Sequence, residues 1–167
     1  DRLYSRLKHL AFMLLFLLCS LNVWGATDTK EGGFERATTG NAYQGDASVT
    51  TSDSDCGISW AIHYGCVSTS SKITGNNSAA LRLYKTGDFG YLNTTTAING
   101  LTEVSFNAKA ATSNSAKIKI DVNYSTDGTN WSPMKKVSAT GADFLSQDLS
   151  TQASQYTAYI PSGVSGN

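Results

Sequence analysis

Lys117-Ile118-Lys119-Ile120-Asp121-Val122-Asn123-Tyr124 is the stretch that decides the fold class. Successive side chains of a β-strand point to opposite faces, so Ile118, Ile120, Val122 and Tyr124 share one face and Lys117, Lys119, Asp121 and Asn123 the other. One face is apolar and the other polar, which is the pattern of a strand packed on a core from one side.

The same rhythm recurs outward from this run. Glu103 to Lys109 places Val104, Phe106 and Ala108 inward, and Gly57 to Tyr64 reads as a strand with Ile58, Trp60, Ile62 and Tyr64 inward. Ala79, Leu81 and Leu83 predict a shorter strand, and Tyr156, Ala158 and Ile160 a late one. Turn clusters separate them: Gly75-Asn76-Asn77-Ser78, Asn99-Gly100 and Asp127-Gly128. Asp127-Gly128 supplies the positive φ that a tight hairpin requires. The stretch 139–154, with Phe144, Leu145 and Leu149, suits a short helix or, preferably, a strand ending in a loop. Helical spacing is otherwise nearly absent. The expected fold is therefore all-β, an antiparallel β-sandwich of jelly-roll type.

The front of the chain reads differently. Arg2, Arg6 and Lys8 precede an apolar run from Leu10 to Val23. That run is shorter than the roughly 20 apolar residues that span a bilayer comfortably, and it ends in small residues. Val23 and Gly25 suit a signal-peptidase cut before Ala26. An uncleaved anchor is the competing reading, and it is disfavoured because no cluster of positive charges follows the run. The expected organisation is a signal peptide over 1–25, a linker over 26–33 and one β-sandwich domain over 34–167, in a protein that is secreted or at the cell surface. The chain opens on Asp1 without an initiator Met, which reads as a fragment. No membrane span is expected after cleavage.

Charge and cysteine content narrow the partners. Thirteen basic residues balance thirteen acidic ones, so the formal net charge is zero and there is no electrostatic footprint for nucleic acid. Of three cysteines, Cys19 belongs to the leader, which leaves Cys56 and Cys66. Ten extended residues span about 33 Å, whereas a disulfide needs Cα atoms within roughly 7 Å. A Cys56–Cys66 bridge therefore forms only if a turn or bulge folds the segment back; two separate thiols, or a bond to another part, are the alternatives.

Catalytic groups are scarce. A Ser-His-Asp relay needs a histidine held by a carboxylate, and His63 is the one histidine beyond the leader, expected on the outer, solvated face of its strand. Asp46, Asp53, Asp55, Asp88, Asp127, Asp143 and Asp148 sit mostly in turns, where Asx-type backbone bonding accounts for them. No catalytic residue is assigned. Two Cys and one His cannot complete a tetrahedral zinc set. No cofactor is implied, apart from a structural calcium ion for which Glu35, Asp53 and Asp55 are the candidate oxygen ligands. A sugar ring presents C–H faces that stack on aromatic rings. Tyr84, Tyr91 and Trp131, each at a strand end or off the buried face, are the candidate ligand contacts, and Trp60 belongs to the core.

In chain order, Phe34-Glu35, Gly57-Ile58-Ser59-Trp60, Lys72-Ile73-Thr74-Gly75 leading to Ala80-Leu81-Arg82-Leu83, Gly90-Tyr91-Leu92, Gly100 to Phe106 and the Asp127-Gly128 hairpin span nearly all of the mature chain. Together they resemble the galactose-binding-like jelly-roll accessory domain of secreted Bacteroidetes-type proteins, which stands beside extracellular nucleases, pectate lyases and other hydrolases. In that family a segment like Val164-Ser165-Gly166-Asn167 leads into further strands, so the resemblance implies a sandwich truncated before its last strands. It implies a non-catalytic module that binds polysaccharide or glycan, or serves adhesion, next to a downstream domain of the same chain. The alternative is a structural spacer with no small ligand.

Overall fold

The computed structural model describes residues 33–37, 39, 46–50, 54, 56–69, 77–81, 89–110 and 118–164. The expected signal peptide over 1–25 lies outside the described residues, as does the expected linker apart from Gly33. Twelve short strands and no helix occur among the described residues, and every strand pair is antiparallel. The all-β expectation holds at that level.

The first group of strands is β1 (Ala47–Val49), β2 (Trp60–His63), β3 (Gly65–Ser68), β4 (Ser78–Leu81) and β5 (Tyr91–Thr94). They form a three-stranded sheet in the order β1-β2-β5 and a separate β3-β4 pair. Alternation sets the inner face: Val49 and Ile62 are buried, and Ala47, Trp60 and Leu92 pack beside them. Val67 of β3, Ala79 of β4, Ala37 and Phe34 complete this core. Trp60 meets Phe34 edge to face at 6.1 Å, as its inward assignment requires, although its indole N–H is buried without an acceptor among the described residues.

The strand expected over 57–64 is shorter than its pattern suggests. Tyr64 adopts a φ of 44°, and the chain turns there from β2 into β3. Gly65 makes the turn feasible, because a Cβ at that position would lie 2.6 Å from the Ala80 carbonyl oxygen and 2.8 Å from Ile62 Cγ2. Only a residue without a side chain lets β3 approach β4 so closely. Tyr64 consequently leaves the inner face to which alternation assigns it.

The second group is β6 (Glu103–Ala108), β7 (Lys119–Ile120), β8 (Asn123–Tyr124), β9 (Ser132–Pro133), β10 (Lys135–Lys136), β11 (Gln147–Asp148) and β12 (Ser154–Tyr159). The order β10-β12-β6 makes a sheet, with β7-β11 and β8-β9 as pairs. Tyr156 lies opposite Phe106, and their rings stack at 5.8 Å. Met134, Phe144 and Ala158 are buried at the centre, packed by Val104, Phe106, Ile120, Val122, Tyr124, Tyr156 and Ile160.

The stretch that decided the fold class keeps its two faces but not its continuity; Lys117 lies outside the described residues. Lys119, Asp121 and Asn123 are exposed while Ile118, Ile120, Val122 and Tyr124 are half-buried. The ladder changes partner at Val122, whose N–H donates to Phe144 O while its carbonyl accepts from Met134 N–H. Before Val122 the strand pairs with β11, and after it with β9. The stretch 139–154 carries β11 and a bridge from Lys135 to Asp143, with no helix.

Candidate functional site

The outer face of the β1-β2-β5 sheet is built by register. The pairs Ala47–Ile62 and Ile62–Leu92 turn inward, so the neighbouring row turns outward as Ser48, Ala61 and Asn93. One step further along lies His63 opposite Tyr91, with Asp46 immediately before β1. These two rows put a carboxylate, an imidazole, a phenol ring, an amide and a hydroxyl around the small side chain of Ala61.

The Asp46 row is held rigidly. His63 Nδ1 lies 2.6 Å from Asp46 Oδ1, and because a carboxylate only accepts, Nδ1 carries the hydrogen and donates it. That bond fixes the ring plane. The Tyr91 ring stacks on His63 with centroids 4.7 Å apart and an interplanar angle of 29°. Tyr64, thrown out by its left-handed backbone, meets the imidazole edge-on at 4.3 Å. Stacked aromatic pairs contribute about 0.5–1.5 kcal/mol beyond area burial. With its neighbour covering one side, the Tyr91 ring is still 53% exposed, and Phe89, two residues earlier, is 67% exposed. The result is an oriented aromatic platform with a hydrogen-bonding border.

Among the residues singled out from sequence, Tyr91 lies at the centre of this platform. Trp131 is 51% exposed, but it follows the β8–β9 hairpin turn and belongs to the second group of strands. The two aromatics are therefore on different sheets. Tyr84 lies outside the described residues, and so do Asp53 and Asp55. Glu35 sits in the turn before β1, where its carboxylate accepts the Asn77 N–H at 3.2 Å. The Asn77 side-chain amide donates to the Phe34 and Glu35 carbonyls at 3.1 Å, tying that turn to β4. Among the described residues no group of three or more His, Cys, Asp or Glu side chains is placed to hold a metal ion.

Cys56 and Cys66 are free thiols, so the bridge left open by the sequence is not made. Cys66 is fixed in β3 opposite Ala80, and Cys56 lies in the bend before β2, where its sulfur is 3.1 Å from Ser54 Oγ. Burial pushes the Cys66 thiol above its ordinary pKa, which disfavours the reactive thiolate.

The Asp127 hairpin is tightly satisfied from within. Asp127 Oδ1 accepts the N–H groups of Thr129 and Asn130 at 2.8 and 2.7 Å, and Oδ2 accepts the Asn130 amide at 2.6 Å. The Asn130 backbone N–H, then its side-chain amide, then Thr129 hold the carboxyl well below its usual range. Gly128 takes the positive φ, 73°, that the sequence predicts. The arrangement is that of a stabilised turn.

Comparison with protein-family models, curated proteins and solved structures gives no match.

Reading from sequence missed the Asp46–His63 couple, treating Asp46 as a turn acid and His63 as a solvated strand residue. One signal was present: Asp46-Ala47-Ser48-Val49 alternates polar and apolar residues, which would have placed Asp46 on the outer face of a partner strand.

Proposed function

We propose that this chain is a non-catalytic glycan-binding module, secreted or held at the cell surface, with the outer face of the β1-β2-β5 sheet as its binding surface. The observation that carries the reading is the Tyr91 ring, stacked on an imidazole that Asp46 locks in place and still half open to solvent. Such a ring loses little freedom when a sugar stacks on it, so little of the contact energy is offset by ordering. Ser48 and Asn93 in the adjoining row supply hydroxyl and amide groups for sugar hydroxyls. A galactose-binding-like jelly roll beside a hydrolase or surface domain, as the resemblance implies, is the setting in which we place this surface.

The test is the affinity of the full chain for a panel of plant, algal and host glycans, compared with Tyr91→Ala and Trp131→Ala. Truncating a central aromatic anchor costs more than about 1 kcal/mol, so Tyr91→Ala is expected to weaken binding about ten-fold. Trp131→Ala, on the other sheet, is expected to leave it unchanged. Absence of binding by the wild-type chain to every glycan would overturn the reading in favour of a structural spacer, and so would indifference to Tyr91→Ala.

A further inference from the structure

The two edges of the β10-β12-β6 sheet are finished differently. Beyond β10, the Lys136 N–H donates to the Ala142 carbonyl and the Met134 carbonyl accepts the Phe144 N–H, while Pro133 and the lysines of β10 blunt that side further. β6 has no such cover. The Ile160 N–H donates to the Thr102 carbonyl, which fixes the phase of the ladder. Val104, Phe106 and Ala108 therefore turn their backbone groups toward β12, and Glu103, Ser105 and Asn107 turn theirs away from it. Among the described residues, nothing bonds to those outward N–H and carbonyl groups. Glu103, Ser105 and Asn107 are also exposed. An unpaired row of this kind is a template for one more strand.

The residues along this edge select the strand that fits it. From Glu103 to Lys109 the order is Glu-Val-Ser-Phe-Asn-Ala-Lys. Laid antiparallel against a second copy about Phe106, it sets Glu103 opposite Lys109, Val104 opposite Ala108 and Ser105 opposite Asn107, with Phe106 opposite its own counterpart. Opposite charges meet at both ends, polar meets polar and apolar meets apolar, so each face of the sheet continues unchanged across the join. The outward backbone groups fall in the hydrogen-bonded pairs of that register, as an antiparallel ladder requires. Neither Glu103 nor Lys109 has a charged partner in its own chain among the described residues. Sliding the join to centre on Ser105 sets Glu103 opposite Asn107 and Lys109 opposite Leu101, and both ion pairs are lost.

We propose that β6 is a self-complementary interface at which two copies of this chain join edge to edge across a two-fold axis, with Glu103 of each opposite Lys109 of the other. Such a contact is closed, because each copy uses its open edge once and no further copy can add to it.

The experiment is sedimentation equilibrium of the full chain at low salt. A join of one strand pair is small, so a dimer that dissociates in the micromolar range is expected. Glu103→Lys and Lys109→Glu each set like charges opposite one another at both ends of the join, and each is expected to weaken the dimer about ten-fold. An equimolar mixture of the two variants restores opposite charges at both ends and is expected to associate as tightly as wild type. Ser105→Pro removes an outward N–H without touching the β12 ladder, so it is expected to abolish the dimer with the far-UV circular dichroism unchanged. A wild-type chain that stays monomeric into the millimolar range would overturn the proposal. So would charge variants that dimerise as well as wild type, or a mixture that associates no better than either variant alone.

Discussion

Replacing Val137 by Gly is expected to stabilise the protein. Val137 follows β10 at a φ of 70°, and the Ser138 N–H donates to the Lys136 carbonyl across it at 2.8 Å, which makes it the centre of a three-residue γ-turn. A β-branched residue is ill suited to positive φ, where a side chain costs about 1–2 kcal/mol. Its side chain is 87% exposed, so removing it gives up little apolar burial. Glycine adds back conformational entropy to the unfolded chain, at about 0.5–1 kcal/mol. The balance is a gain of about 0.5–1 kcal/mol, seen as a higher urea midpoint with an unchanged slope and a Tm raised by about 2–4 °C. Val137→Ala, which keeps a Cβ at the same backbone angle, is expected to gain less. If Val137→Gly were destabilised relative to both Val and Ala, the turn would be held by the side chain itself and the strain argument would be wrong.

Ile62 is the largest buried side chain of the first core, so Ile62→Ala is expected to cost about 2–5 kcal/mol in chemical denaturation; a loss below about 1 kcal/mol would mean that this core is loosely packed. Because the folded state lowers the Asp127 pKa, its contribution is fully present above the unfolded value, near 3.8, and is lost as pH falls toward the folded value. Thermal melts of wild type and Asp127→Asn from pH 7 to pH 2 should therefore differ most at neutral pH and converge in acid, and a difference that grew on acidification would contradict the sign.

The strands were legible wherever polar and apolar residues alternate, because the face a side chain occupies follows from parity alone. The strand expected from Glu103 to Lys109 forms as Glu103–Ala108, the late strand expected around Tyr156, Ala158 and Ile160 forms as Ser154–Tyr159, and the two pair over six residues. Where the ladder changes partner at Val122, parity still gives the correct faces but says nothing of continuity, since the break depends on Met134 and Phe144 arriving from elsewhere in the chain. The turn at Tyr64 was hidden for a related reason: Gly65 reads as one more small residue until the Ala80 carbonyl is known to lie against it. Of the site, exposed Tyr91 was recoverable from its position at the edge of a strand. Its support was not, because Asp46 and His63 are 17 residues apart and meet only through the β1–β2 register.

A glycan-binding face and a structural spacer differ in where, if anywhere, sugar touches the molecule. Amide chemical-shift mapping by NMR, with the full chain titrated with a neutral oligosaccharide, reads that directly. The largest changes are predicted at Asp46, Ser48, Ala61, His63, Tyr91 and Asn93, in the two outward rows of the first sheet. Changes confined to the Asp127 hairpin and Trp131, with those rows silent at saturation, would contradict it.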